Sequence, residues 1–197
     1  MARCLSVCGF SGRMGIAGQI NVCRMAFFTR TIYRGDLMNE IKELLIKKFE
    51  ELEKRTRLVL NQLNEEELNW RPNESSNSIA NLVVHIEGNV NERIQTGILH
   101  RGIERDRDAE FEELYKTKEE LLQITQTTYS ILLDTIKEMA DDTWSKTQSV
   151  RNQERTHLDV IFHCSAHFSE HLGQMMYIGK MLKNHEYVVT SIPKRVK

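Results

Sequence analysis

The chain is poor in the residues that usually narrow a function. Two prolines in 197 residues leave long helices with few built-in stops. Of four cysteines, Cys4, Cys8 and Cys23 fall in the first 23 residues and Cys164 stands alone far downstream. That distribution excludes a disulfide scaffold and fits a reducing cytoplasm, the expected location. No stretch approaches the roughly 18 consecutive apolar residues that a membrane helix needs. Lysine and arginine total 27 against 28 acids, a formal net charge of −1. There is no surplus of positive charge to hold nucleic acid or an anionic membrane, so neither is expected as a partner. What is present is a chain 40% hydrophobic and 28% charged, of a length suited to one globular domain.

Residues 1–37 differ from the rest. They hold five of the ten glycines, five arginines, no lysine and one acid, Asp36, with no helical periodicity. An arginine-rich, acid-poor stretch can be a transit peptide, and Cys4 with Cys8 can be half a metal site. The segment has no histidine and one further cysteine, which weakens the second idea. A disordered or non-native extension fits better. Arg34-Gly35 can be encoded by a purine-rich tract two codons before Met38, where a bacterial ribosome-binding site would lie. Met38 is therefore the expected start, and the intact mass of the product of the native gene checks it.

From Met38 the pattern predicts an all-α chain. Ile41, Leu44, Leu45, Phe49, Leu52, Val59, Leu60 and Leu63 recur at helical spacing over residues 38–63. Residues 64–76, with Pro72 and Asn73-Glu74-Ser75-Ser76, read as a loop. A second helix is capped by Ser76, Asn77 or Ser78 and carries Ile79, Leu82, Val83, Ile86, Val90 and Ile94 towards Leu99. After a charged connection, Thr117 and Glu120 form a capping box for a third helix ending near Ala140. Following a polar loop, Thr156 with Asp159 opens a fourth helix towards His185. The expected architecture is a four-helix bundle over residues 38–187, with a basic tail at 188–197. Trp70 and Trp144, after the first and third helices, are expected to cap its core.

The last helix carries His163, His167 and His171, one turn apart. Residues four apart share a helix face, so neighbouring imidazoles can grip one ion. At about 100° per residue, Val160, Phe168, Met175, Ile178 and Leu182 lie within about 40° of Cys164. Cys164 is then a packed core thiol. His171 lies about 20° from that centre, His167 about 60° and His163 about 100°. The inward pair is His167 with His171, and His163 sits at the margin. Gln174, on the same side as His167, can support the pair from behind or face an interface.

A third ligand has four sources, His85, His100, His157 and His185. His100 and His185 adjoin charged loops, and His157 is in the first turn of its helix. His85 lies beside, not within, the apolar stripe of the second helix. Asn89 and Arg93 continue inward from it at i+4 and i+8, which suggests a polar cavity; a surface edge fits periodicity equally well. His167-Phe168-Ser169-Glu170-His171 also matches the H-x-x-E-H pattern of inverted zincins. That chemistry needs a distant carboxylate, and Glu186 is the one acid after His171.

Three separated stretches carry a resemblance. They are N-W-R-P-N-E-S-S-N-S-I-A-N-L-V-V-H-I-E-G-N (69–89), R-D-R-D-A-E-F-E (105–112) and H-F-S-E-H-L-G-Q-M-M-Y-I-G-K (167–180). In this order they resemble the DinB/YfiT-like superfamily, in particular its branch in Bacillus-type bacteria. The resemblance spans residues 38–187 and has no counterpart to 1–37. It implies a four-helix bundle, often homodimeric, with a central divalent metal on three histidines. One comes from the second helix and two from the last, which carried over are His85, His167 and His171. His163 is an extra histidine, either behind the site or an alternative ligand.

Three imidazoles leave an open position, as in catalytic zinc sites, where a bound water becomes a nucleophile near neutral pH. A thiol can be activated there instead. The resemblance implies a metal-dependent hydrolase or thiol S-transferase acting on a small molecule, with zinc or nickel and, for transfer, a low-molecular-weight thiol cosubstrate. Asn89, Arg93 and Gln174 are the expected helpers, Asn89 and Arg93 orienting a polar or anionic substrate. A salt bridge from Arg93 to the 105–108 loop accounts for it equally well. The alternative is a non-catalytic, stress-associated metal-binding and dimerisation module, which needs the same histidines.

Overall fold

The structure, a computed structural model, describes residues 16–191, with side chains from Asp36 onward. Residues 1–15 and the last six of the basic tail lie outside it. The chain divides into two units, Met1–Glu40 and Ile41–Lys197, and apart from the start of the first helix everything below concerns the second.

Most of the described chain is helical. The first helix, α1, is Ile16–Gln62, so helical backbone begins before the expected Met38. The 64–76 connection is not all loop. Asn64 caps a short helix, α2 (Glu65–Asn69), by accepting from the Glu67 amide at 2.8 Å while Glu67 accepts from the Asn64 amide at 2.8 Å. Ser78 and Asn81 make the same reciprocal cap for α3, Ile79–Val90. Thr117 and Glu120 make the expected capping box for α4, Lys118–Glu138. Thr156 accepts from the Asp159 amide at 3.2 Å and opens α5, His157–Lys183. Each cap satisfies amides that a helix start leaves without partners.

The all-α expectation needs one correction. The polar loop before α5 contains an antiparallel hairpin, β1 (Thr147–Val150) and β2 (Gln153–Thr156), with Thr147 opposite Thr156. Arg151 and Asn152 turn it with φ of 49° and 65°, the left-handed pair that a two-residue hairpin turn requires. Four-residue strands are too short to show alternation, and an Arg-Asn turn lacks the glycine signal.

The helix expected to reach Leu99 also changes character. After Val90 it widens into a π-helical segment, Asn91–Thr96. The hairpin docks on this segment through Gln148, whose amide donates to the Arg93 carbonyl at 3.2 Å. Gly97 permits the approach, because a Cβ there would fall 1.5 Å from Gln148 Oε1.

The core sits where α1, α4 and α5 meet. Phe168 is fully buried and meets Phe49 at 6.0 Å and Tyr129 at 5.9 Å, both edge to face. Such pairs add to the area they bury and fix geometry. They set the rotation of α5, and α3 packs against α4 and α5 beside them. Val160, Cys164, Met175 and Ile178 are buried on α5 as expected. Trp144 is buried, whereas Trp70 remains 38% exposed and Leu44 59% exposed, so neither of the latter belongs to the core. Among the described residues, no helix is long and apolar enough to cross a membrane.

Candidate metal centre

His85 projects from the middle of α3, and His167 and His171 from successive turns of α5. Phe168, locked into the core next to His167, aims that edge of α5 towards α3. One ring nitrogen from each histidine lies within 4.8 Å of the other two. His167 Nε2 is 3.2 Å from His85 Nε2 and 2.8 Å from His171 Nε2. Among the described residues this is the one group of three or more potential ligands brought so close.

The outward nitrogens show which way the rings face. His85 Nδ1 donates to Glu110 Oε2 at 2.7 Å, and His171 Nδ1 donates to Gln174 Oε1 at 2.9 Å. Both rings therefore present bare Nε2 lone pairs to His167. The buried His167 Nδ1 has no partner among the described residues. Burial pushes the His85 pKa down against the pull of Glu110, and pushes His167 down to about 3, with His171 and His85 adding to the effect. Neutral imidazoles converging lone pair to lone pair repel one another unless a proton or a cation stands between them. Two zinc ligands about 2.05 Å from a tetrahedral ion lie about 3.3 Å apart, close to the contacts here. The donor set and its spacing fit a divalent transition metal.

Glu110 is the residue that sequence reasoning missed. It belongs to a 3₁₀ turn, Ala109–Phe111, in the charged connection after α3. Asn81 holds this turn against α3 by donating from Nδ2 to the carbonyls of Glu110 and Glu112, each at 2.9 Å. Arg105 then grips the Glu110 carboxylate with Nε at 2.6 Å and a terminal nitrogen at 2.8 Å, and reaches Glu92 with the other. Glycine at position 88 makes room, because a Cβ there would lie 1.9 Å from Glu110 Oε1. The Phe111 ring lies 4.8 Å from that of His85 and covers it. A lone phenylalanine within a run of charges was the local sign that this connection folds inward.

Other expected residues fall differently. His163 is exposed and its ring stacks parallel to His167 at 6.3 Å, outside the cluster. Asn89 turns to the core and accepts from the Cys164 thiol at 3.4 Å, whose pKa burial pushes up to about 12. Arg93 pairs with neighbouring Glu92 at 2.8 Å, and the salt bridge to the 105–108 loop runs from Glu92 to Arg105 instead. Gln174 stands directly against His171. His100 and His185 are exposed, and His157 is buried at the start of α5, away from the cluster.

Residues 36–196 match a family described as a protein of unknown function, DUF1572. The chain belongs to that family. No curated protein matches this DUF1572 chain. Solved structures do. A conserved protein from Enterococcus faecalis superposes with a TM-score of 0.61 at 13% identity, covering 71% of this chain and 95% of its own. A DinB-like protein from Bacillus cereus gives 0.59 at 13%, covering 71% and 91%. A DinB-like protein from Bacillus subtilis gives 0.55 at 13%, covering 75% and 97%. At this identity the similarity shows the fold, which is DinB-like.

Proposed function

We propose that His85, His167 and His171 are the ligands of a zinc or nickel ion at the centre of a DinB/YfiT-like four-helix bundle. On this reading the protein is a metal-dependent hydrolase or thiol S-transferase for a small molecule. One observation carries it: three ring nitrogens converge while the outward nitrogens of two rings are tied to Glu110 and Gln174. Protein-held outward nitrogens of this kind are what orient metal-bound histidines. The ion would supply a Lewis-acid centre that activates water or a low-molecular-weight thiol near neutral pH. The chain's own part is to hold His85 and His167 neutral, fix the tautomers of His85 and His171, and leave His171 at the more open edge.

Metal content of the purified protein, compared with His85→Ala and His171→Ala, tests the site. Loss of metal in both is expected, and undiminished metal in both overturns the assignment. Ester, amide and electrophile-plus-thiol substrates then test turnover. Metal-dependent activity that disappears in the same variants supports the enzyme, whereas bound metal without turnover supports the non-catalytic module. A homodimer in the cytoplasm completes the proposal. Sedimentation velocity reads the oligomeric state directly.

A further inference from the structure

Gly173 has no structural reason to be glycine. It sits well inside the 27-residue α5, where glycine costs about 1 kcal/mol relative to alanine. Gly88 is required by the approach of Glu110, and a Cβ at Gly179 would lie 3.0 Å from the Tyr187 ring. A Cβ at Gly173 would meet no atom within 4 Å, and its backbone is ordinary helix. The space above it is a cleft of about 730 Å³ between the 72–77 loop and the second half of α5. Buried Leu82 and Ile178 are at its base, with Tyr177 and Met181 exposed along one wall. Gln174 also lines it, and its Oε1 accepts from His171. Among the described residues, the Gln174 amide nitrogen donates to no protein group and is free for a ligand.

We infer that this cleft binds the body of the substrate, and that Gly173 is glycine because a side chain there would fill it. The inference rests on the proposed small-molecule function and names the chemical class. The lining holds one carboxylate, Glu170, and no lysine, arginine or histidine. The loop wall adds Ser75, Ser76 and Asn77. The ligand is therefore a body without negative charge at this end, with an apolar or aromatic face for Leu82, Tyr177, Ile178 and Met181 and a carbonyl-type acceptor for the Gln174 amide. That differs from the anionic substrate which Arg93 suggested in the sequence, since Arg93 is paired with Glu92.

The test is titration of the chelator-treated full chain with N-benzylacetamide and with hippurate, followed by NMR. Saturable binding of the neutral amide is expected, about tenfold tighter than of the anion. Gly173→Leu fills the cleft and should weaken amide binding by about tenfold or more while leaving cobalt uptake at the histidines unchanged. Tyr177→Ala, an exposed position that cannot compromise the core, should weaken it severalfold. Gly173→Ala should raise the melting temperature, because no contact depends on the glycine. No saturable binding by the wild type, preference for hippurate, or full affinity in Gly173→Leu each overturns the inference. A change in oligomeric state in Gly173→Leu also overturns it, by placing the glycine at a subunit contact. Because the probe is read without metal, failure here leaves the metal assignment standing, and failure of that assignment leaves this result standing.

Discussion

The two walls of the histidine cluster are built on opposite plans. On the α3 side His85 is 5% exposed and its Nδ1 is held by Glu110, itself 4% exposed and gripped by Arg105. On the α5 side His171 is partly exposed and its Nδ1 is held by Gln174, which stands at the surface beside a cleft. One wall is a closed ionic clamp and the other a single neutral amide facing solvent. A centre that must hold an ion and still admit a ligand needs this asymmetry: a fixed side that sets ring orientation, and a side from which something can enter.

The comparison can be broken most forcefully at Glu110. Glu110→Ala leaves the half-buried Arg105 with half its partners, at a cost of about 2 kcal/mol in urea unfolding once solvent screening is allowed for. Metal affinity should also fall by roughly 10–100-fold, whereas Glu110→Gln, which still accepts from His85, should recover much of it. Equal metal affinity in Glu110→Ala and the wild type would show that the clamp serves stability alone. Gly88→Ala attacks the same wall by volume. Its methyl group displaces Glu110, with an expected loss of about 1–3 kcal/mol and weaker metal binding. On the open wall, Gln174→Ala should change metal affinity by less than about tenfold and stability by under about 0.5 kcal/mol, because water can replace an exposed amide. A larger loss than in Glu110→Ala would reverse the ranking of the two walls.

The smallest effect concerns the other buried histidine. His157 is 3% exposed and neither ring nitrogen makes a well-formed hydrogen bond among the described residues, the Thr143 backbone offering a weak one. Burial lowers its pKa in the folded state. The unfolded chain therefore takes up a proton more readily below its value of about 6.5. The stability due to neutral His157 is fully present above that pH and is lost as pH falls through it towards the lowered folded value. Urea midpoints of chelator-treated protein between pH 7.5 and 5 should drop less steeply in His157→Phe than in the wild type, with about 6.5 as the upper edge of the window. Identical slopes would show that other groups dominate.

Much of this was legible in the sequence, and the failures have specific causes. Caps at Ser78, Thr117 and Thr156 are local, so four or five residues suffice to read them. The His167 and His171 pair follows from helical phase, because Cys164 and Phe168 do set the buried face of α5. His85 stayed ambiguous because a helical wheel ranks residues about one axis and cannot say which neighbour covers the edge of a stripe. Glu110 was hidden for a stronger reason. Its role depends on a connection folding back over a helix 25 residues earlier, which no periodicity encodes. The projection of Arg93 over His85 assumed unbroken α phase, and the wider turn at Asn91–Thr96 ends that phase before it gets there.

That wider turn has a mechanical consequence. It follows directly on the histidine-bearing α3, and the hairpin rests on the wide turn itself. Deleting one residue within Asn91–Thr96 would restore uniform α winding and turn Ile98 little, because the π turn holds about one residue more than an α turn; what would be lost is the wide turn whose Arg93 carbonyl accepts from Gln148. His85 and Gly88 lie before the break and would keep their places, whereas Glu92 lies within it and Arg105 and Glu110 follow it, so the clamp would be disturbed. The π segment thus carries both the seat of the hairpin and the Glu92 end of the clamp on one wide turn, so a change there reaches both.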